Sequence, residues 1–580
     1  MFQPFPRQSR DPESHPRDPG CLDIAQPIVY IVMMKAEGEM RMKSVTIKRG
    51  LLGIALAAGL LVMTGATRQF YESGRSLYLK LKVFGDILEK IRTDYIEEMD
   101  PQALVDSAVR GLVSGLDPHT TYFTADEFER WNRDFEGFSG IGIYFDILDG
   151  KITILSVIRD GPSEKVGLET GDRIVSIDGK SALGIKRDDV PLKLMGPAGT
   201  RVNLMVERNG WPKPKAYSIV REEVHVESVA DAFLLTPKVG YIGMARFSAT
   251  TESELEQALQ KLELMGMKEL MLDLRQNGGG YLEAAVQVAD KFLPGGKKIV
   301  YTKGRVDDSF REYFSRESGT HPLIPMIVLI DRTSASASEI VAGALQDWDR
   351  ALIVGETSFG KGLVQNPYRF DDGSALLMTT ARYYTPSGRM IQRPYGDKSD
   401  AEYYEEIFDR DWGRKEREKT GRPVFKTMIL GRRVTGDGGI TPDAFFASDP
   451  DSLSRAVREI VLSPERPLFT FIEDYAAARP GLKELDPYNF FRNYRFGADV
   501  LAAFRTRLQE DHIAITSAAF EKSREDIQYL LKRSLASKLW GDEAGLKVQI
   551  FRDRQIREAL EHFPRAESVL AGAYPASKVK

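Results

Sequence analysis

The segment from Asp331 to Ile340 places Thr333, Ser334, Ser336 and Ser338 on a turn between a wholly apolar stretch and a helical pattern. Such a turn can expose a hydroxyl beside free backbone N–H groups at a helix start, where developing negative charge is favoured. A plain serine-rich helix cap is the competing reading of the same residues. A nucleophilic serine needs a base. His321 precedes the apolar stretch and so belongs at its far end from Ser336. Asp347 shares a helical face with Ser336 but lies about 16 Å along the axis at ~1.5 Å per residue, which makes it a structural carboxylate. Lys361 remains, flanked by Gly360 and Gly362, which let the backbone approach closely. A lysine base must be neutral, so its pKa has to fall from about 10.4 toward 7 or 8, at roughly 4 kcal/mol. Gln365 could orient that amine without adding the negative charge that would push the pKa back up. A solvated loop lysine is the plainer alternative.

Two other chemistries fit less well. Gly355 to Gly362 matches most of a phosphate-binding loop, but Gly362 stands where the magnesium-binding Ser or Thr should be, and the chain beyond it reads as extended rather than helical. The six histidines form no His-Glu-x-x-His pattern, and the single cysteine, Cys21, allows no intramolecular disulfide or paired-thiol metal site. With 80 basic and 84 acidic residues there is no excess positive charge to hold a nucleic acid by its phosphates.

The elements that would position these groups follow from periodicity. The 580 residues suffice for roughly three or four domains. Residues 76–130 read as helices, with Leu77, Leu81, Phe84, Ile87, Leu88 and Ile91 on one stripe and a second helix from Pro101 to Leu112. From Ile141 to Val220, short alternating segments separated by Asp-Gly turns indicate a small, mostly antiparallel unit. From about residue 238 strand and helix alternate, which predicts an α/β layer with its site on the loops at the carboxyl ends of the strands. The charged, aromatic stretch from Tyr395 to Gly436 reads as an insertion, with a strand signal resuming at Gly439 to Asp443. Beyond residue 448, Ser452–Val461, Ala498–Gln509, Ser517–Ser537 and Glu543–Phe563 carry helical patterning whose simplest role is packing or self-association.

Near the amino end, residues 51–63 are uncharged and follow the basic stretch Lys43 to Arg49. They read as an export signal or short anchor, with cleavage and retention both open. Met40 and Met42 are alternative starts. Asp18, Pro19 and Gly20 ahead of Cys21 form no lipoprotein signal.

Taken together, these residues resemble the carboxyl-terminal processing, or tail-specific, proteases. The likeness rests on Ser334 to Glu339, Gly360 to Gly362, Leu116 to Tyr122, Asp273 to Gly280, Thr380 to Gly388 and Gly439 to Asp443, and covers residues 77–446. It implies an α/β (α+β multidomain) fold: a crotonase-like protease core with an inserted PDZ domain, a helical N-terminal segment and a helical C-terminal region. The implied division is 1–67 extension and signal or anchor, 68–130 helical part of the protease, 131–222 PDZ domain, 223–447 core with 395–436 inserted, and 448–580 helical region. The resemblance further implies a serine endopeptidase with Ser336 as nucleophile, Lys361 as general base and Gln365 holding the lysine, and with no metal or organic cofactor. The N–H of Ala337 and that of Gly279 or Gly280, rather than Gly278, would form the oxyanion hole, with Glu339 and Asp347 supporting the site. Gly140, Ile141, Gly142 and Ile143 resemble the carboxylate-binding loop of PDZ domains, which hold the C-terminal tail of a protein. Met195 departs from the family, whose members often carry arginine there. The expected protein is exported, periplasmic or anchored through residues 50–66, and takes protein substrates with apolar tails, with self-association open. A silent PDZ adaptor that presents tails to another protease is the alternative, and an esterase built on the α/β core is a third.

Overall fold

The computed structural model describes residues 77–136, 138–224, 226–316, 321, 323–396, 398–409, 412–447 and 454–575. Cys21, the candidate starts Met40 and Met42 and the apolar run 51–63 lie outside the described residues. The chain divides into two compact units between Pro101 and Gln102. In the first, residues 77–94 form a helix on which Leu77, Leu81, Phe84 and Ile87 are exposed, so the expected stripe is present as an open face. The expected second helix runs Pro101–Val113. Beyond it the helical reading fails: the Asp117 carboxylate accepts the backbone N–H groups of His119 and Thr120, each at 3.0 Å, and the chain turns into the strand Thr121–Phe123 before the helix Ala125–Glu136. Short side chains that bond their own backbone favour such turns over helix.

The antiparallel unit follows its sequence pattern closely. Strands Ile143–Leu148, Lys151–Val157, Arg173–Ile177, Arg201–Glu207 and Lys215–Val220 pair in that order, leaving Ile143–Leu148 at an edge. Asp149, Asp160 and Asp178 all take positive φ at the turns, which an Asp tolerates better than most residues. Ile152, Ile154, Ile174, Val202, Leu204 and Ile219 form its core, and the short helix Asp189–Leu194 closes one side.

The α/β layer is a six-stranded sheet in the order Val229–Leu234, Val239–Met244, Glu269–Asp273, Met326–Ile330, Leu352–Gly355, Ala444–Phe445, parallel except for the first pair. Period-two alternation splits its side chains. Leu270, Leu272, Met326, Val328 and Ile330 pack under the helices Thr251–Leu264, Leu282–Asp290 and Ala337–Asp347, while Met271, Ile327 and Leu329 face the other way. That second face is covered by the end of the chain, through Ile556, Ala559, Phe563 and Ala566 of the helices Arg554–Leu560 and Phe563–Ala573. Gly439 to Asp443 is a loop rather than a strand. Asp443 caps the sheet there by accepting the Ile353 N–H at 2.9 Å, and the last strand is Ala444–Phe445.

The C-terminal patterning is broken into more helices than periodicity alone suggests. Asp553 ends one helix and caps the next through the Ile556 N–H at 3.0 Å, and Ser523 separates Ser517–Lys522 from Arg524–Trp540. Val457, Ile472, Phe504, Leu531 and Leu535 give these helices a core of their own. Their edge meets the antiparallel unit through polar contacts: Arg466 to Asp146 at 2.7 Å, Arg159 to Glu543 at 3.0 Å, and Lys538 to the Thr170 carbonyl at 2.5 Å. Because Phe563 fills the underside of the sheet, Phe563→Ala is expected to destabilise the α/β layer by about 3 kcal/mol. Urea unfolding checks this, and an unchanged midpoint would mean that the terminal helices are not part of that core.

Candidate active site

Pairing of parallel strands in register sets the ends of Glu269–Asp273, Met326–Ile330 and Leu352–Gly355 side by side. The loops leaving them carry the glycine run, the serine turn and the lysine turn. Ser336 precedes the helix Ala337–Asp347 with φ 55° and ψ −111°, a backbone state that non-glycine residues take only when their surroundings hold them there. Of the three serines, Ser334 and Ser338 are fully buried and donate to the Leu274 and Asn277 carbonyls at 2.8 and 2.9 Å, while Ser336 keeps partial exposure.

Glu339 holds the serine turn and the lysine turn together. At 0% exposure its Oε2 accepts the N–H of Ser336 and of Lys361, both at 2.8 Å. Its Oε1 accepts the Gly360 N–H at 2.7 Å and the Ser358 hydroxyl at 2.5 Å. Burial pushes the Glu339 carboxyl up, and these four donors oppose that push. Both oxygens thus accept two donors each, which ties the serine turn and the lysine turn to one side chain. The Tyr383 hydroxyl reaches the carbonyls of both Ser336, at 3.1 Å, and Lys361, closing the far side of the two turns.

The Lys361 amine donates to Gln365 Oε1 at 2.7 Å. Burial lowers its pKa from the ordinary lysine value, and the charges of Glu339 and Asp117 oppose this less strongly. Opposite the serine, Gly279 and Gly280 have φ 102° and 150°. A Cβ on Gly279 would stand 2.8 Å from the Ser336 Cβ, and one on Gly280 would stand 2.0 Å from the Phe247 carbonyl oxygen, so both positions require glycine. Asn277 fastens this loop: its Oδ1 accepts the Gly279 N–H at 2.9 Å and its carbonyl accepts the Ala335 N–H at 3.1 Å. Among the described hydrogen bonds, the N–H groups of Gly280 and Ala337 donate to none.

The sequence comparisons bear on this arrangement. Residues 238–402 match the model of peptidase family S41, and residues 139–214 match that of the PDZ domain. A carboxy-terminal-processing protease of Bartonella bacilliformis is 39% identical over 345 residues, 59% of this chain and 78% of that protein. The carboxy-terminal processing protease CtpA of Bacillus subtilis is 34% identical, covering 53% of this chain and 65% of its own length. A probable CtpA-like serine protease of Staphylococcus haemolyticus is 33% identical, with 52% of this chain and 60% of that protein covered.

The chain belongs to the carboxy-terminal processing protease family. It is a mixed α/β enzyme of the S41 class with a PDZ domain, a kind of domain that takes peptide C-termini.

In this family member the PDZ groove lies between the edge strand Ile143–Leu148 and the helix Asp189–Leu194, around a cavity of ≈ 320 Å³. Ile141, Ile143, Phe145, Leu194 and Met195 make it apolar, and Arg130 is the charged side chain that lines it. Gly140 pairs with Glu222 on the short ribbon beneath the loop, and the Ile141 and Gly142 N–H groups donate to no described acceptor.

The remaining residues singled out in the sequence sit apart from the two turns. Asp347, at 0% exposure, pairs with Arg389 at 2.6 Å and accepts the Ser387 N–H at 2.9 Å, and so holds the Thr385 to Arg389 bend rather than the serine. His321 bonds Glu263 at 2.6 Å. After Gly362 the chain enters the strand Leu363–Arg369, not the helix that a phosphate loop needs. Sequence reasoning missed Asn277, Tyr383, His119 and Gln392, although Asn277, Tyr383 and His119 lie inside runs already noted for the resemblance. Replacing Glu339 by Gln puts an amide N–H₂ among four donors. Glu339→Gln is expected to lower kcat by about 100-fold through displacement of the two turns, and steady-state kinetics with covalent serine labelling to count intact sites checks this.

Proposed function

We propose that the protease cleaves proteins selected by their C-terminal tails, with Ser336 as nucleophile, Lys361 as general base and Gln365 orienting the amine. The observation that carries this reading is the meeting of the Ser336 and Lys361 N–H groups on one Glu339 oxygen, each at 2.8 Å, beside an amine whose pKa burial lowers. Neutral Lys361 takes the Ser336 proton as Oγ attacks the peptide carbonyl. The oxyanion rests on the N–H groups of Ala337 and Gly280, which have no other described acceptor, while the Gly279 N–H is held by Asn277. The lysine then protonates the departing amine, leaving an acyl-serine. Water activated by the same amine attacks that ester, and the acid leaves as the serine regains its proton.

The PDZ groove supplies the tail preference. Its free edge strand accepts an extended peptide by β-addition, its apolar lining takes an apolar last side chain, and the N–H groups of Ile141 and Gly142 face the terminal carboxylate. Residues 51–63 support export, with the protein periplasmic or held at the outer side of the membrane. The exposed apolar face of helix 77–94 supports self-association.

Because only the neutral amine accepts a proton, kcat/KM is expected to rise about tenfold per pH unit until the Lys361 midpoint, which lies below that of an ordinary lysine, and then level off. A disordered protein with an apolar C-terminus should be cleaved faster than one with a charged C-terminus, and Ser336→Ala and Lys361→Ala should each lose cleavage while still binding the tail. Full activity of Lys361→Ala would remove the lysine from its role.

A further inference from the structure

The insertion between residues 395 and 436, most of which lies beyond the span matched by the peptidase family model, is built into both turns of the active centre. Its Tyr403, Ile407 and Trp412 share a buried apolar cluster with Ala335, which precedes the nucleophile, and Phe359, two residues before the lysine. The Arg393 guanidinium lies 4.1 Å from the Tyr403 ring centroid and 4.7 Å from that of Phe359.

A polar path runs alongside. Gln365, whose Oε1 receives the Lys361 amine, donates through its own Nε2 to the His119 carbonyl. Asp117 fixes that carbonyl by bonding the N–H groups of His119 and Thr120 and, at 3.1 Å, the Thr379 hydroxyl of the neighbouring strand. The His119 ring lies between two tyrosines of the insertion helix Asp400–Glu405, with Nδ1 at 2.9 Å from the Tyr404 hydroxyl and Nε2 at 3.3 Å from that of Tyr403.

Every proton in this cluster can be placed. Tyr404 donates to the Pro118 carbonyl at 3.0 Å, so it accepts from Nδ1–H, and the bare Nε2 accepts from Tyr403. Tyr403 accepts in turn from Gln392 Nε2 at 3.1 Å, and Gln392 Oε1 takes the Gly362 N–H at 2.9 Å, returning to the lysine turn. This tautomer is assigned from the network. Burial, followed by the charge of Lys361, holds the ring neutral, with its pKa pushed down to about 3; Asp117 opposes that push and Arg393 adds to it.

We propose that Tyr403 and Tyr404 are positioning residues for peptide hydrolysis. By clamping the His119 ring they fix the carbonyl that orients Gln365, and with it the amine of Lys361. The insertion is therefore a brace on the base rather than a surface elaboration. This rests on the assignment of Ser336 and Lys361 above, and the test separates the two.

Full-length wild type, Tyr403→Phe/Tyr404→Phe, His119→Ala, the triple variant and Lys361→Ala are compared on an unstructured protein substrate for kcat, KM, pH profile, melting temperature and covalent labelling of Ser336. The double variant is expected to lose about tenfold or more in kcat with KM little changed. Its rising pH limb should move to higher pH, because water reaching the amine weakens the downward push of burial. The tyrosines act through the histidine ring, so the triple variant should be no worse than His119→Ala. A double variant that keeps the wild-type kcat and pH midpoint, or losses that multiply in the triple variant, would overturn the brace while an inactive Lys361→Ala leaves the dyad standing. An active Lys361→Ala would overturn both. If lost activity merely followed lost fold, labelling and melting temperature would fall together while the pH midpoint stayed fixed, and that too would overturn the brace.

Discussion

Glu339 lies out of solvent with no cation paired to it among the described residues, and its two oxygens gather four donors from the serine turn and the lysine turn. A buried carboxylate is tolerated only when its lone pairs are filled, so the two turns are bound to each other through the need to solvate one charge. Ser336 can stay at positive φ because its N–H ends on Glu339 and its carbonyl meets Tyr383. The arrangement has an electrostatic consequence. A negative charge near Lys361 stabilises its protonated form, and burial, which favours the neutral amine, outweighs it. Geometry is secured by a group that favours the charged amine, whereas the amine itself is held by the neutral Gln365 and not by a second carboxylate.

That meeting of turns is possible because the strands beneath are parallel and in register. Parallel strands emerge at one edge, so their carboxyl-end loops converge there, and both faces of such a sheet have to be covered. Here one face is covered by helices that alternate with the strands, and the other by helices from the far end of the chain. The last helices thus supply a layer that the catalytic sheet needs.

The PDZ unit is attached differently. Its core is self-contained, and its contacts with the C-terminal helices are polar and partly exposed, such as Arg159 with Glu543 and Arg466 with Asp146. The PDZ unit thus meets the C-terminal helices through charged and polar contacts, whereas the terminal helices meet the catalytic sheet through apolar burial.

Much of this was legible locally. The strands Lys151–Val157, Arg173–Ile177 and Met326–Ile330 stand where alternation and apolar runs put them, and the serine turn, the glycine run and the lysine turn are each recognisable within a few residues. Residue type and spacing dictate these features because turn chemistry, helix capping and side-chain alternation act over a few neighbours. The Asp117 turn, the breaks at Ser523 and Asp553 and the loop at Gly439 to Asp443 were misread because one side-chain hydrogen bond or neighbouring strand overrode the pattern. The packing of Tyr383 against the serine turn, of Tyr403 and Tyr404 around His119, and of Phe563 beneath the catalytic sheet could not be read from the runs that contain them. Their partners are tens to hundreds of residues away, and only the closing of the whole chain, which must fill every buried lone pair and cover every apolar face, decides which distant side chain does so.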